Sequence, residues 1–406
     1  MMYLLKKISF KHILIFILLL TAFLRLFRLD YPNQYVFDEV YHAFTAKEYL
    51  AGHKETWEWW TTPPPGVAYE WTHPPLAKEV MAVSMSIFGT EDAWAYRLPG
   101  VLLGILSVYL VYLLGLKLLQ NQTASLIAAF TFSLDGLNFV QSRTGMNDAY
   151  FIAFMLASVL LFLNKKFVLS SILLGLTLAS KWAGVYVYLL FVPLLLKDQR
   201  YKNLLYFIFI PPIIYLLSYL PFFLLGHSFS QFIQLQQQMW WYHTGLKATH
   251  TYTSPWWSWP LNLYPVWYFV DYQKGNIANI FASGNPVVFW VGAVAVILTA
   301  WETVKKKSVN LAIVTLGFLI FWLPWALSPR IMFLYHFSPS VPFLSLALGH
   351  QLSALLNDRK GKQLAFVLLF LICLSFILTF PFLTGISIPR DFVKLFFLFN
   401  LSKNPF

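Results

Sequence analysis

The sequence is poor in charged residues and nearly lacks cysteine. Asp, Glu, Lys and Arg make up 11% of the 406 residues, whereas hydrophobic residues make up 58%. One soluble core cannot bury that much apolar side chain, so the composition excludes a soluble globular protein and indicates an integral membrane protein. Cys373 is the single cysteine, so an intramolecular disulfide is excluded as well.

The sequence also lacks the common signals of nucleotide and nucleic-acid binding. It has no Asp-x-Asp pair, which often lines the metal site of nucleotide-sugar enzymes, and no glycine-rich phosphate loop. The formal net charge of +12 comes mostly from short Lys and Arg clusters between apolar runs, where basic residues set membrane orientation. We therefore expect no nucleic-acid partner.

Long apolar runs predict eleven membrane spans, because a helix needs roughly 17 to 25 apolar residues to cross a bilayer. An amino terminus in the cytoplasm places all the basic clusters around Lys165, Lys197, Lys305 and Arg359 on the cytoplasmic side, as the positive-inside tendency expects. The short runs 167–181 and 183–196 are counted as two spans, with one long span as the alternative. The other runs are 10–28, 97–119, 123–141, 146–163, 203–226, 287–303, 309–327, 334–354 and 364–384.

Two long segments, residues 30–96 and 227–286, lie on the outer face in this topology. The first contains ten of the seventeen acidic residues, and the second is rich in Trp, Tyr and His. Neither has the composition of a flexible linker, so residues 1–406 are predicted to form a single membrane domain. We expect the chemistry in these two segments.

An acidic pair, Asp38 and Glu39 in "FDEV", stands at the start of the first outer segment. Neighbouring residues of a helix point about 100° apart, so only one of the two carboxylates can face a small site squarely. The alternative is that both are first-turn residues, where the helix dipole favours anions.

More ionisable residues are predicted at the same outer face. "EWTHPPLAKEVMAVSMSIFG" predicts a helix that starts at a proline and lies on the membrane surface, with His73 and Lys78 near the interface. Arg97 stands at the outer mouth of the second span, and Arg143 and Asp148 lie in the outer turn between the third and fourth. Ionisable groups at membrane depth are functional by default; the alternative is that Arg143 and Asp148 only pair with each other.

Eight sequence blocks together resemble the protein O-mannosyltransferase family of polyprenyl-phosphate-dependent glycosyltransferases. They are "FDEVYHA", "HPPLAK", "AYRLPG", "SLDGLNFVQSRTGMNDAYF", "GLTLASKWAGVYV", "YHTGLKATHTYTSPWWSWPL", "GNPVVFW" and "LYHFSPSVPF". The resemblance implies an all-α, GT-C type membrane fold of about eleven transmembrane helices, with interfacial helices in the long first outer loop. Because residues 227–286 are too few for the extra β-trefoil of the large eukaryotic members, the chain is similar to the compact bacterial form, which implies the plasma membrane and an extracytoplasmic site.

The resemblance also implies a reaction, the transfer of mannose from polyprenyl-phosphate-mannose to Ser/Thr hydroxyls of proteins with inversion. One carboxylate near the hydroxyl then suffices as base, and we assign Asp38 to it and Glu39 to holding the sugar, the acceptor or the helix start. Lys78, Arg97 and Arg143 are expected to stabilise the phosphate as its negative charge develops. The missing Asp-x-Asp pair fits such a lipid-linked donor.

Other substrate contacts are expected from His73, Asp148 and Trp257. The loop tryptophans around Trp257 either stack on sugar or anchor the loop in the interface. No metal ligands are assigned and no cofactor is certain, although a divalent metal stays open; a zinc site from His243 and His250 with Glu39 or His73 is one such alternative.

Two other functions also stay open. A related transferase for another sugar, or for a glycan or lipid acceptor, would keep the acidic loop and "HPPL" but need not have "HTYTSPWWSWPL". A transporter would have ionisable residues deep in several spans, whereas here they gather at the outer ends.

Overall fold

Helices dominate the computed structural model, in which residues 9–245 and 247–396 are described. The predicted cytoplasmic amino terminus, residues 1–8, lies outside the described residues. The helices are α1 (Phe10–Leu26), α2 (His42–Ala51), α3 (Leu76–Phe88), α4 (Ala93–Leu119), α5 (Gln122–Ser133), α6 (Gly136–Arg143), α7 (Asp148–Leu163), α8 (Phe167–Ser180), α9 (Tyr188–Lys197), α10 (Leu204–Leu217), α11 (Leu220–Leu224), α12 (Phe229–Gly245), α13 (Pro286–Lys306), α14 (Val309–Ile320), α15 (Val341–Leu355), α16 (Arg359–Thr384) and α17 (Arg390–Phe396).

Each predicted span coincides with one helix or with two consecutive helical pieces. Four of the described helical segments are long and apolar enough to cross a membrane: α4, α13, α16, and α14 continued to Leu327. The pair α5 and α6, bent by 59°, makes a fifth if it is one span. The total of eleven therefore stays a prediction. The bend has a local cause, because the buried Asp135 side chain accepts a hydrogen bond of 2.8 Å from the main-chain N–H of Asn138 and so starts α6 as its N-cap.

The helices pack around one large apolar core that includes residues from Ile17 in α1 to Leu383 in α16. Small residues bring the helices into close contact, as is common in membrane bundles. A Cβ atom at Gly349 of α15 would collide with the main-chain oxygen of Ala124 in α5, so this crossing requires glycine. The outer surface of the bundle is apolar too, with Phe16 and Ile297 more than half exposed, as expected of a surface in lipid.

The interfacial helix α3 has apolar residues on two faces. Met81 and Met85 are buried, whereas Val83 and Ile87 are exposed by 57% and 73%. An exposed apolar face of this kind agrees with the predicted position of the helix on the membrane surface.

The second outer segment contains structure that the sequence analysis does not predict. α12 is followed by an antiparallel hairpin of β1 (Val266–Tyr272) and β2 (Asn276–Ala282), and β3 (Ile388–Pro389) pairs with β2. A small sheet is thus added to the helical fold. Six of the seven β2 residues are buried, so the strand lacks the alternation of apolar and polar residues that identifies a half-buried strand.

Candidate active site

Five helix ends meet on one side of the bundle and carry the predicted site. The chain alternates in direction, so the carboxyl ends of α1, α6 and α8 lie with the amino ends of α4 and α7. These ends carry Arg97, Arg143, Asp148 and Lys181. The acidic pair of the first outer segment lies against the same group of residues.

Glu39 is fully buried and holds this region together. Its carboxylate accepts 2.8 and 2.7 Å hydrogen bonds from Nε and Nη2 of Arg97. It also accepts hydrogen bonds from the main-chain N–H groups of Val36 at 2.9 Å and Gly145 at 2.8 Å, and from the hydroxyl of Tyr96 at 3.3 Å. Of the roles expected for Glu39, these contacts match that of holding the helix start.

Arg97 uses all its N–H groups within the protein. Besides the two bonds to Glu39, it donates to the main-chain oxygens of Leu29, Pro32 and Gln34 at 3.0 to 3.2 Å. The residue is 2% exposed. In this structure all five donors of Arg97 have protein acceptors, which position Glu39 and the preceding loop; a contact between Arg97 and a donor phosphate stays a prediction.

Arg143 is engaged in the same way. Its guanidinium donates to the main-chain oxygens of Arg25 at 2.9 Å and Arg28 at 3.3 Å, and also to that of Phe27, so it caps the carboxyl end of α1. A further bond of 3.4 Å reaches the oxygen of Leu383. Cations suit this end of a helix because its main-chain oxygens have no partners within the helix. These contacts hold Arg143 within the protein without the suggested pairing with Asp148, and its expected contact with a donor phosphate stays a prediction.

Asp38 differs sharply from its neighbour Glu39. It lies in a 3₁₀ turn over Phe37–Val40, and Phe37 adopts a left-handed conformation with φ 47°, which is unusual for an aromatic residue. The Phe37 ring stacks on Tyr268 of β1, with ring centres 4.2 Å apart. Among the described residues, no side chain or main-chain N–H donates a hydrogen bond to the Asp38 carboxylate, which is only partly buried.

Several charges act on Asp38. Burial raises its pKa from the usual 3.8 to about 7, with further increases from Glu70 and Asp148 and opposing effects from Lys181 and Arg330. A carboxylate with this pKa can take up a proton at neutral pH, as a general base must. Asp38 therefore combines a free carboxylate with a matched pKa.

Asp148, the first residue of α7, forms a buried ion pair with Lys181. The Lys181 Nζ lies 2.9 Å from an Asp148 carboxylate oxygen, and the two side chains are 13% and 2% exposed. Lys181 also lies 6.0 Å from the ring centre of Tyr335. Asp148 thus positions the Lys181 ammonium group near Asp38.

Lys78 supports the turn that precedes α3. Its Nζ is fully buried and donates to the main-chain oxygens of Glu70 at 2.6 Å and His73 at 2.9 Å. Burial lowers the pKa of Lys78 to about 8. These bonds direct the ammonium group to the protein main chain, and the expected contact between Lys78 and a donor phosphate stays a prediction.

His73 belongs to a group of histidines that surrounds Glu70. Its Nδ1 lies 3.1 Å from Glu70 Oε1, and its ring centre lies 5.7 Å from that of His42 and 5.2 Å from that of His243. His243 is fixed through both nitrogens, because Nε2 lies 2.7 Å from the main-chain oxygen of Thr72 and Nδ1 faces Nη1 of Arg330. With Glu39 bound by arginine and His243 held by these partners, the zinc alternative drawn from the sequence does not form as proposed.

The tryptophan motif is divided between core and surface. Trp259 is fully buried and its Nε1 donates to Ser254 Oγ at 2.9 Å, whereas Trp257 is 52% exposed. The exposed ring is accessible to a sugar or to lipid, so substrate stacking by Trp257 stays a prediction.

Sequence analysis assigned no role to His42, Glu70 or Arg330. The spacing of Glu70 and His73 in "EWTH" was a usable signal, because residues three apart meet within one turn. His42 lies 28 positions before Glu70, and Arg330 lies in the loop between α14 and α15. Only the folded chain brings them to Asp38 and to one another.

Family models match nearly the whole chain. Residues 15–229 match the model of the dolichyl-phosphate-mannose-protein mannosyltransferases, and residues 228–400 match the C-terminal four TMM region of protein-O-mannosyltransferase. The chain is 24% identical to a polyprenol-phosphate-mannose-protein mannosyltransferase of Mycobacterium tuberculosis, over 91% of this chain and 87% of the relative. It is 22% identical to the Corynebacterium glutamicum protein of that name, over 79% of each chain.

The fold also matches a solved structure. The S. cerevisiae protein O-mannosyltransferase Pmt1-Pmt2 complex bound to the sugar donor superposes with a TM-score of 0.79 at 16% identity, covering 94% of this chain and 91% of that chain. The predicted GT-C membrane fold is confirmed by this likeness, and the predicted family is confirmed by the model that covers more than half of the chain. The chain therefore belongs to the dolichyl-phosphate-mannose-protein mannosyltransferase family.

Proposed function

We propose that the protein transfers mannose from polyprenyl-phosphate-mannose to Ser/Thr hydroxyls of acceptor proteins. The single observation that carries this proposal is the contrast within the acidic pair. Glu39 is saturated by hydrogen bonds, whereas the Asp38 carboxylate has none from the described residues and has a pKa of about 7. An acidic group left free and tuned to neutral pH in a buried, charged setting is typical of a catalytic base.

Asp38 acts as the base in a single displacement. The hydroxyl oxygen of the acceptor forms a bond to C1 of mannose while the bond between C1 and the phosphate oxygen breaks. The hydroxyl proton passes to Asp38, and the polyprenyl phosphate leaves with the bonding electron pair. Because the nucleophile attacks opposite to the leaving group, the configuration at C1 is inverted. The phosphate is already a good leaving group, so one carboxylate suffices.

The cations that stabilise the leaving phosphate are Lys181 and Arg330 in this proposal. Both act on the charge of Asp38, and Arg330 Nε is buried without a hydrogen-bond partner among the described residues. Within the described part of the chain, Lys181 Nζ makes one hydrogen bond, to Asp148, whereas Arg97, Arg143 and Lys78 each donate to two or more main-chain oxygens. Cations next to the phosphate are most effective where they are fixed before the reaction starts, and Asp148 fixes Lys181 in this way.

The reaction takes place on the outer face of the plasma membrane. In support, the site lies at the helix ends opposite those that carry the clusters around Lys165 and Lys305, and such clusters are cytoplasmic by the positive-inside tendency. In a Cys373→Ser background, Lys54→Cys should react with an impermeant thiol reagent in intact cells, whereas Lys306→Cys should react only after lysis. The reverse pattern would invert the topology.

A transfer assay tests the proposed activity. Purified protein in detergent should move mannose from polyprenyl-phosphate-mannose to a Ser/Thr-containing peptide, and the same peptide with Ala at those positions is the matched control. The product linkage, measured by NMR, should be inverted relative to the donor. Transfer of glucose from the matched polyprenyl-phosphate donor at an equal rate, or transfer to the Ala peptide, would contradict the proposal.

A further inference from the structure

Three potential metal ligands meet in the turn that precedes α3. His42 is the first residue of α2, and Glu70 and His73 stand on either side of Trp71 and Thr72 in the preceding turn. One ligand atom from each of His42, Glu70 and His73 lies within 4.8 Å of the other two. Four ligands around zinc at roughly 2.0 to 2.1 Å would lie about 3.3 Å apart, so the cluster needs only a small contraction to bind an ion.

The hydrogen-bonding state of the cluster also points to a ligand. His42 is 3% exposed, and its Nδ1 is buried without a hydrogen-bond partner among the described residues. A buried polar atom without a partner is rare, because it has lost its bond to water without replacement. Only 3.1 Å separates Glu70 Oε1 from His73 Nδ1, so these two atoms are already as close as two ligands of one zinc ion.

We propose that His42, Glu70 and His73 bind a divalent transition-metal ion, with zinc as the best match. Two imidazoles and one carboxylate are a ligand set that zinc accepts, with a fourth position left for water or another ligand. Glu70 acts on the charge of Asp38, so this site lies near the proposed base, but binding of an ion to it can be measured without sugar transfer. The two proposals can therefore fail independently.

Neighbouring groups have opposite effects on the binding of a metal ion at this site. Lys78 bonds to the main-chain oxygens of Glu70 and His73, so it holds the turn in the shape that brings the two ligands together. Its positive charge and that of Lys181 oppose a cation. We therefore expect weaker binding than at a site with two carboxylates, but saturable binding with a stoichiometry of one ion per chain.

Cobalt(II) provides a direct test, because it occupies zinc sites and absorbs visible light when bound in tetrahedral geometry. Chelator-treated protein with Cys373→Ser should develop visible absorption bands that saturate at one Co²⁺ per chain and disappear on addition of Zn²⁺. His73→Gln should weaken Co²⁺ binding by at least about 100-fold, since the loss of an outer-shell partner alone costs 10- to 100-fold. The control is His53→Gln, which removes an exposed histidine 2.8 Å from Glu48.

His42→Cys separates loss of a ligand from loss of the fold. A thiolate at this position should add a sulfur-to-cobalt charge-transfer band in the near ultraviolet, whereas His53→Cys should not. Chelator-treated protein that gives no saturable band with Co²⁺, or an equal loss of affinity in His53→Gln, would overturn the proposal. A charge-transfer band in the His53→Cys variant alone would overturn it as well.

Discussion

Replacement of Glu39 and of Asp38 by the corresponding amides should show which of the two residues stabilises the fold and which one catalyses the reaction. Glu39→Gln removes the charge that faces Arg97 and leaves a buried guanidinium without its ion-pair partner. The new NH₂ group must point either at Gly145 N–H or at Val36 N–H, because Glu39 accepts a main-chain hydrogen bond on each oxygen. Loss of one partner of a buried ion pair costs about 3 to 5 kcal/mol, which corresponds to a fall in Tm of roughly 4 to 6 °C for a chain of this length.

Asp38→Asn should have the opposite profile. The Asp38 carboxylate has no hydrogen bond from the described residues to lose, and an amide carries no charge to desolvate, so Tm should stay equal or rise. Turnover should fall by roughly 10² to 10⁴, because Asn cannot accept the hydroxyl proton. Donor binding should survive, since the proposed phosphate contacts are Lys181 and Arg330.

The experiment compares both variants with wild type and with Glu91→Gln. Glu91 is 59% exposed and lies 3.8 Å from Lys47, so its loss should change stability by less than about 1 kcal/mol. Tm is measured from intrinsic fluorescence in detergent, and mannose transfer is measured at saturating donor well below the lowest Tm. A Glu39→Gln variant that keeps wild-type Tm but is inactive, together with an active Asp38→Asn variant, would refute the assignment and exchange the two roles.

Three further variants test the electrostatics of the site. Asp148→Asn should move the acidic side of the pH–rate profile to lower pH. The reason is that the Asp148 charge raises the pKa of Asp38, which must be ionised to act as base. A shift to higher pH would contradict this. Lys181→Met should shift the same side of the profile to higher pH and raise the donor KM, whereas an unchanged KM would remove Lys181 from the phosphate site. Arg97→Lys should lower Tm, since an ammonium group cannot replace the two-pronged bond to Glu39, while donor KM stays near wild type; the reverse outcome would restore Arg97 as a phosphate ligand.

The apolar runs alone locate the helices of the bundle. A chain in lipid must satisfy its main-chain polar groups internally, so long apolar segments have few alternatives to the helix. The same reasoning fails for β2, whose residues are buried almost without interruption. A segment of seven residues, with asparagines at 276 and 279 and no regular alternation, cannot be identified as strand or helix from periodicity.

The sequence also determines that acids and bases gather at one face and that Asp38 and Glu39 cannot share one role, because the helical geometry of adjacent residues separates their side chains. Its motifs identify the family. It shows how many hydrogen bonds Arg97, Arg143 and Lys78 can donate.

Only the tertiary structure decides where those hydrogen bonds go. Arg97 reaches main-chain oxygens more than sixty positions earlier in the chain, and Arg143 reaches the end of α1. The same folding brings His42 to Glu70 and Lys181 to Asp148. A cation can bind a substrate only through donors that protein acceptors do not occupy, and those acceptors are set by contacts between distant segments. For that physical reason the sequence supplied the candidates, and the fold decided which of them remain free to act.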